Sequence, residues 1–145
     1  MKIELKIKRL PPILREKELE KRLSRAMKVA AQTYTQLVHD WIDQGKAFTP
    51  RTGNLQRSIT WYYKNNTARI VAQAEYAKFV EYGTKPHIIK PLRRKALKIP
   101  TEQGYVFARK VKHPGSKPYP FLLADLQNRA RQVAVEFMKA LEGVI

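Results

Sequence analysis

The chain contains no cysteine. That excludes disulfides and thiolate metal sites, and it fits a reducing compartment. No apolar run approaches the roughly 18–20 residues of a membrane-spanning helix. The opening MKIELKIKRL alternates charged and apolar side chains where a secretory signal needs a continuous apolar core, so no export signal is expected. Histidine is limited to His39, His87 and His113, and without thiols or HxxxH spacing these do not make a zinc site. The glycines stand alone and read as turn residues, which leaves no phosphate-cradling loop.

Acidic residues are scarce: 12 against 29 Lys and Arg, for a formal net charge of +17. The shortage is local. Between residues 85 and 117, ten basic residues meet one acid, Glu102, an excess of +9. Charge gathered in one module points to a polyanion or an acidic protein surface, although charge runs also serve as solvated faces. At 145 residues and 43% hydrophobic, the chain is long enough for a modest core and is expected to be one domain over residues 1–145.

Residues 2–8 alternate apolar Ile3, Leu5 and Ile7 with charge, which predicts a half-buried strand stopped by Pro11-Pro12. From Ile13 to about Asp43, Leu19, Leu23, Met27, Ala30, Tyr34, Leu37, Val38 and Trp41 make one helical stripe. Thr52 can cap a short helix ending near Ser58. Residues 59–63 and 68–74 read as strands around an Asn65-Asn66 turn, because Asn tolerates positive φ. A helical turn over 75–82 ends at Gly83, and strands follow at 87–90, 96–99 and 105–111. A final helix from about Phe121 to Glu142 shows Leu122, Leu126, Ala130, Val133, Phe137 and Leu141 on its apolar face. This order predicts an α+β fold: one antiparallel sheet packed against two long helices, with a short helix between strands.

Catalytic chemistry has little to stand on. His39 sits in the long helix as a structural residue. His87 and His113 could face each other across a sheet, as in a small nuclease with two acid–base histidines. Glu75 and Glu81, six residues apart, point to different faces and do not form an acid pair. Nucleic-acid contact is better supplied. Lys90, Arg93, Arg94, Lys95, Lys98, Arg109, Lys110 and Lys112 can meet phosphates, and Tyr105, Phe107 and Tyr119 lie near them. Tyr105 and Phe107 are expected to alternate inward as core.

Three motifs stand in order: Thr49-Pro50-Arg51-Thr52-Gly53-Asn54-Leu55-Gln56-Arg57-Ser58-Ile59; Tyr76-Ala77-Lys78-Phe79-Val80-Glu81-Tyr82-Gly83-Thr84; and His113-Pro114-Gly115 with Lys117-Pro118-Tyr119-Pro120-Phe121-Leu122. Together they resemble the P-x-T-G-x-L-x-x-S-I, Y-A-x-x-V-E-x-G-T and H-P-G-x-x-P-x-P-F-L elements of the tail-completion, or head–tail joining, proteins of long-tailed double-stranded DNA bacteriophages. The likeness spans about residues 10–143.

The resemblance implies a structural virion protein with no catalytic residues, no metal and no cofactor. It implies a homo-oligomeric ring, commonly a hexamer, between connector or stopper and tail-tube or tail-terminator proteins. Its place is the virion, after assembly in the bacterial cytoplasm, with no membrane partner. Thr52, Gly53, Leu55, Tyr76, Val80, Glu81, Gly83, Thr84, His113, Pro114, Gly115, Pro120 and Phe121 then become loop-shaping and assembly residues. A ring around the DNA path would give the eight basic residues a passing duplex to face. The alternatives are a sequence-tolerant nucleic-acid-binding module and a small basic nuclease.

Overall fold

The computed structural model describes residues 1–6 and 17–143. Its elements are β1 (Lys2–Lys6), α1 (Lys17–Asp43), α2 (Asn54–Arg57), β2 (Ile59–Lys64), β3 (Thr67–Ala72), α3 (Ala77–Tyr82), β4 (His87–Ile89), β5 (Leu97–Thr101), β6 (Gly104–Ala108), β7 (Val111–His113) and α4 (Leu126–Glu142). The ends expected for the first strand (residues 7–8) and the start of the long helix (13–16) lie outside the described residues. No helix among the described residues is long and apolar enough to cross a membrane.

The mixed α and β character and the antiparallel pairing hold, but the single sheet does not. Strands β1-β3-β2 form one sheet, while β4-β7 and β5-β6 are separate two-stranded ribbons. The register explains the break. Ile89 pairs with Val111 and Leu97 with Ala108, so residues 90–96 on one side oppose only 109–110 on the other. Strands of such unequal length cannot share a continuous ladder, and Pro91 removes a backbone donor besides. The strand expected over 105–111 is accordingly divided between β6 and β7.

The core is built where apolar periods agree. Ala68, Ile70 and Ala72 of the central strand are buried beneath α1, which contributes Met27, Ala30, Ala31, Tyr34, Val38 and Ile42. The other flank of α1 packs along α4. The β2–β3 hairpin closes through Asn65 and Asn66 at φ 51° and 54°, the paired left-handed conformation of a two-residue turn.

Two expectations for the last helix fail. It begins at Leu126 rather than Phe121, because Asp125 turns left-handed at φ 51°. Its buried side is Arg129, Val133 and Ala140, with Leu126 and Ala130 outside.

The edge strand β1 is tied down by charge as well as by its ladder. Glu4 lies opposite Arg69, whose Nε donates to its carboxylate at 2.7 Å, and Lys2 approaches to 3.0 Å. The hydrogen bond from Arg69, then that from Lys2, holds the Glu4 carboxyl well below its ordinary value of 4.5, at about 2. The strand contact is therefore fully stabilising above pH 4.5 and fades as pH falls through about 2, where the folded carboxylate takes its proton. Carboxyl NMR titration is expected to give a Glu4 midpoint near 2, returning toward the ordinary value in Arg69→Ala. An unchanged midpoint in that variant would contradict the assignment.

Candidate assembly site

The three sequence motifs converge on one junction. The second motif carries α3, a single apolar turn in which one acid, Glu81, is buried at 3% exposure. Its Oε2 accepts the backbone N–H of Phe121 at 2.8 Å and of Leu122 at 2.9 Å, and its Oε1 accepts that of Leu123 at 2.9 Å. These are charge-assisted bonds in a site where an unmatched carboxylate would be costly.

The opposite polar edge of the same backbone is held by a cation. Arg129 of α4, 2% exposed, donates from Nη1 to the carbonyls of Phe121 at 2.8 Å and Leu122 at 3.1 Å. Its guanidinium also lies over the rings of Tyr34 and Trp41. The Tyr34 hydroxyl donates to the Leu122 carbonyl at 2.6 Å, and burial pushes this phenol's pKa up. Residues 121–123 thus have their donors taken by Glu81, and Phe121 and Leu122 have their carbonyls taken by Arg129 and Tyr34. This places Phe121 and Leu122 in the core at no exposure and keeps the segment out of the helix.

A second contact lies beside the first. Thr84 and Ser116 exchange backbone hydrogen bonds at 3.0 Å in both directions, and their hydroxyls meet at 3.0 Å. Gly83 at φ 71° and Gly115 at φ 87° make this approach possible. A Cβ on Gly83 would strike the Ser116 carbonyl oxygen, and one on Gly115 the Thr84 carbonyl oxygen. Tyr119 N–H donates to Val80 C=O at 2.7 Å.

The first motif completes the wall. Gly53 precedes α2 at φ 70°, and the Thr52 hydroxyl accepts from Asn54 N–H at 3.4 Å, a long contact. Arg57 does more of the fastening. Its Nη2 donates to Thr52 C=O at 3.0 Å and to the Asn54 side chain at 2.6 Å. Leu55 is buried, and Phe48 meets Phe121 edge to face at 5.9 Å. Together Phe48, Pro50, Leu55, Tyr76, Val80 and Tyr119 line a largely apolar groove of about 300 Å³. Pro114 and Pro120 flank the third motif's turns and are exposed.

Beyond the junction, the chain between Thr84 and Ser116 forms an arm in which no residue from 85 to 117 is buried. His87 and His113 pair across its base, ring centroids 4.9 Å apart. His87 Nδ1–H donates to Lys85 C=O, while His113 Nδ1 accepts the N–H of Gly115. The sequence expectation that they face each other is met. Their ring planes are tilted by 31° to each other. Among the described residues, no group of three or more side chains could hold a metal ion.

The expected inward turn of Tyr105 and Phe107 is contradicted. Both are exposed, Phe107 at 68%, because β5–β6 is a two-stranded ribbon with no layer over that face. Lys98 stacks over Tyr105 at 3.8 Å from the ring centroid. Lys90, Arg93, Arg94 and Lys95 lie in the 90–96 excursion, Arg109 and Lys110 opposite it, and Lys112 on β7, all exposed. None of these eight cations takes part in an ion pair among the described residues.

Sequence reasoning placed Glu81 in a motif without its role as tether, and it missed Arg129 and Arg57. The available signal for Glu81 was a solitary acid inside an apolar turn of a basic chain. A family model described as "Bacteriophage HK97-gp10, putative tail-component" matches residues 7–83. That match takes in the first two motifs and ends at the Gly83 side of the joint. No curated protein and no solved structure matched the chain.

Proposed function

Because the chain belongs to the HK97-gp10-like family of bacteriophage tail components, we propose that it is a structural virion protein. Copies of it form a homo-oligomeric ring, commonly a hexamer, at the head–tail or tail-terminus junction, around the DNA path. One observation carries this proposal: the fold leaves apolar surface uncovered on the helical body as well as on the arm. On α4, Leu126, Ala130, Ala134 and Met138 follow each other at i,i+4 spacing and are all exposed, beside the buried Val133 and Ala140. Leu123 extends this surface, and the apolar groove opens elsewhere on the same body. Two different uncovered patches on one chain suit a head-to-tail contact, the kind that closes into rings. The ring's neighbours would be connector or stopper on one side and tail-tube or tail-terminator proteins on the other.

The test is mass measurement in solution combined with electron microscopy, on the chain alone and with those partners. Closed rings are the expected result, either alone or once a neighbouring ring is present. A particle that stays monomeric under every condition would overturn the proposal.

A further inference from the structure

The arm is chemically unlike the body that carries it. It holds Lys90, Arg93, Arg94, Lys95, Lys98, Arg109, Lys110 and Lys112 on exposed backbone with Glu102 as its one acid, and its cations are without ion-pair partners among the described residues. It also exposes Leu92 completely, with Tyr105, Val106 and Phe107 more than half exposed. Building on the placement of the ring around the DNA path, we infer that this hairpin arm is itself a duplex-DNA clamp. It binds the phosphate backbone without base readout and does so in the individual chain, before any ring closes.

Three features select duplex DNA. Protein–protein interfaces are depleted in lysine, whereas protein–DNA interfaces are far more positive; the arm has six lysines among its nine cations, Lys85 included. A two-stranded ribbon has the width that a DNA major groove admits, and apolar side chains such as Phe, Leu and Pro are tolerated against groove walls. Single-strand binding needs successive bare aromatic faces for stacking. Here Lys98 covers one face of Tyr105, and Phe107 is the ribbon's other exposed ring. The cations of residues 90–95 and 109–110 gather at the end of the ribbon where β5 begins and β6 ends, with Lys98 on the ribbon itself. Its one carboxamide is Gln103 in the β5–β6 turn, so readout of adenine by amides is limited to a single side chain.

The experiment uses the full chain and fluorescence anisotropy with a mixed-sequence duplex over a range of salt. One variant removes arm charge (Arg93→Ala, Arg94→Ala, Lys110→Ala). A second removes equal charge from exposed body positions (Lys21→Ala, Lys64→Ala, Arg131→Ala). The arm variant is expected to flatten the log–log salt dependence by roughly 2–3 units and weaken binding about tenfold or more near physiological salt. The body variant is expected to change both little. Equal losses in the two variants would overturn the inference, showing attraction by net charge alone. So would tighter binding to a single strand than to the duplex, or competition by polyglutamate as effective as by duplex at equal charge, which would assign the arm to acidic protein. Ring assembly of the unaltered chain, followed by microscopy, separates the outcomes: rings formed by a chain with no measurable duplex affinity would sink the clamp and leave the structural role standing.

Discussion

Glu81→Ala is expected to lower the stability of the protein by about 4 kcal/mol, since it strands three backbone donors at roughly 1–3 kcal/mol each, partly relieved by water entering the vacated space. Against a total of about 5–15 kcal/mol for a typical domain, that is a large share. The carboxylate meets the N–H groups of Phe121, Leu122 and Leu123, and two of those side chains are fully buried. Loss of the tether therefore reaches the core. Glu81→Gln keeps one acceptor but turns an NH₂ toward a backbone donor, so about half the loss is expected. Urea denaturation of both variants checks this, with Tyr82→Ala as the exposed neighbour that should change little. A near-neutral Glu81→Ala would show that the three bonds contribute nothing net.

Gly115→Ala is expected to lower the melting temperature by roughly 10 °C, from about 3 kcal/mol of backbone strain and overpacking. The new methyl would meet the Thr84 carbonyl oxygen, with Lys85 C at 3.0 Å and Pro86 N at 3.1 Å, at φ 87°. These are backbone atoms and cannot swing aside as a long side chain would. Gly83→Ala should behave alike, its Cβ meeting Ser116, Lys117 and Pro118 backbone. Gly45 is the comparison: it also has positive φ, 68°, but nothing lies within 4 Å of its Cβ position. Gly45→Ala should lose only the conformational part, about 1 kcal/mol. Hydrogen exchange gives a second readout. The Thr84 and Ser116 amides should lose protection in the Gly83 and Gly115 variants and keep it in Gly45→Ala. Equal effects at all three positions would show that the close approach is not what fixes the joint.

What could be read ahead of the structure was whatever local chemistry decides. The Asn65-Asn66 turn followed from tolerance of positive φ, and most of α1 followed from an apolar stripe that its packing against sheet and α4 then used. The misses are tertiary. The sheet was taken as one because strand patterns do not disclose that residues 90–96 face only 109–110. The last helix was started too early because Phe121 and Leu122 look helical, while their backbone groups are claimed by Glu81, Arg129 and Tyr34 from distant parts of the chain. Its stripe was misphased because Arg129, which composition assigns to solvent, occupies a buried position. Of the site, the three motifs were legible as separate loops. That they share one junction depended on contacts spanning about 40 residues, such as Glu81 to Phe121.

The reciprocal bonding of Thr84 and Ser116 means that the arm leaves and re-enters the body at a single point. Away from Gly115 and the residues beside the joint, the chain between them can change in length or composition without altering the distance the body must span. The arm is thus an interchangeable module: its size and charge can be altered while the Glu81 and Arg129 contacts and the core stay as they are. The family match stops at residue 83, on this seam.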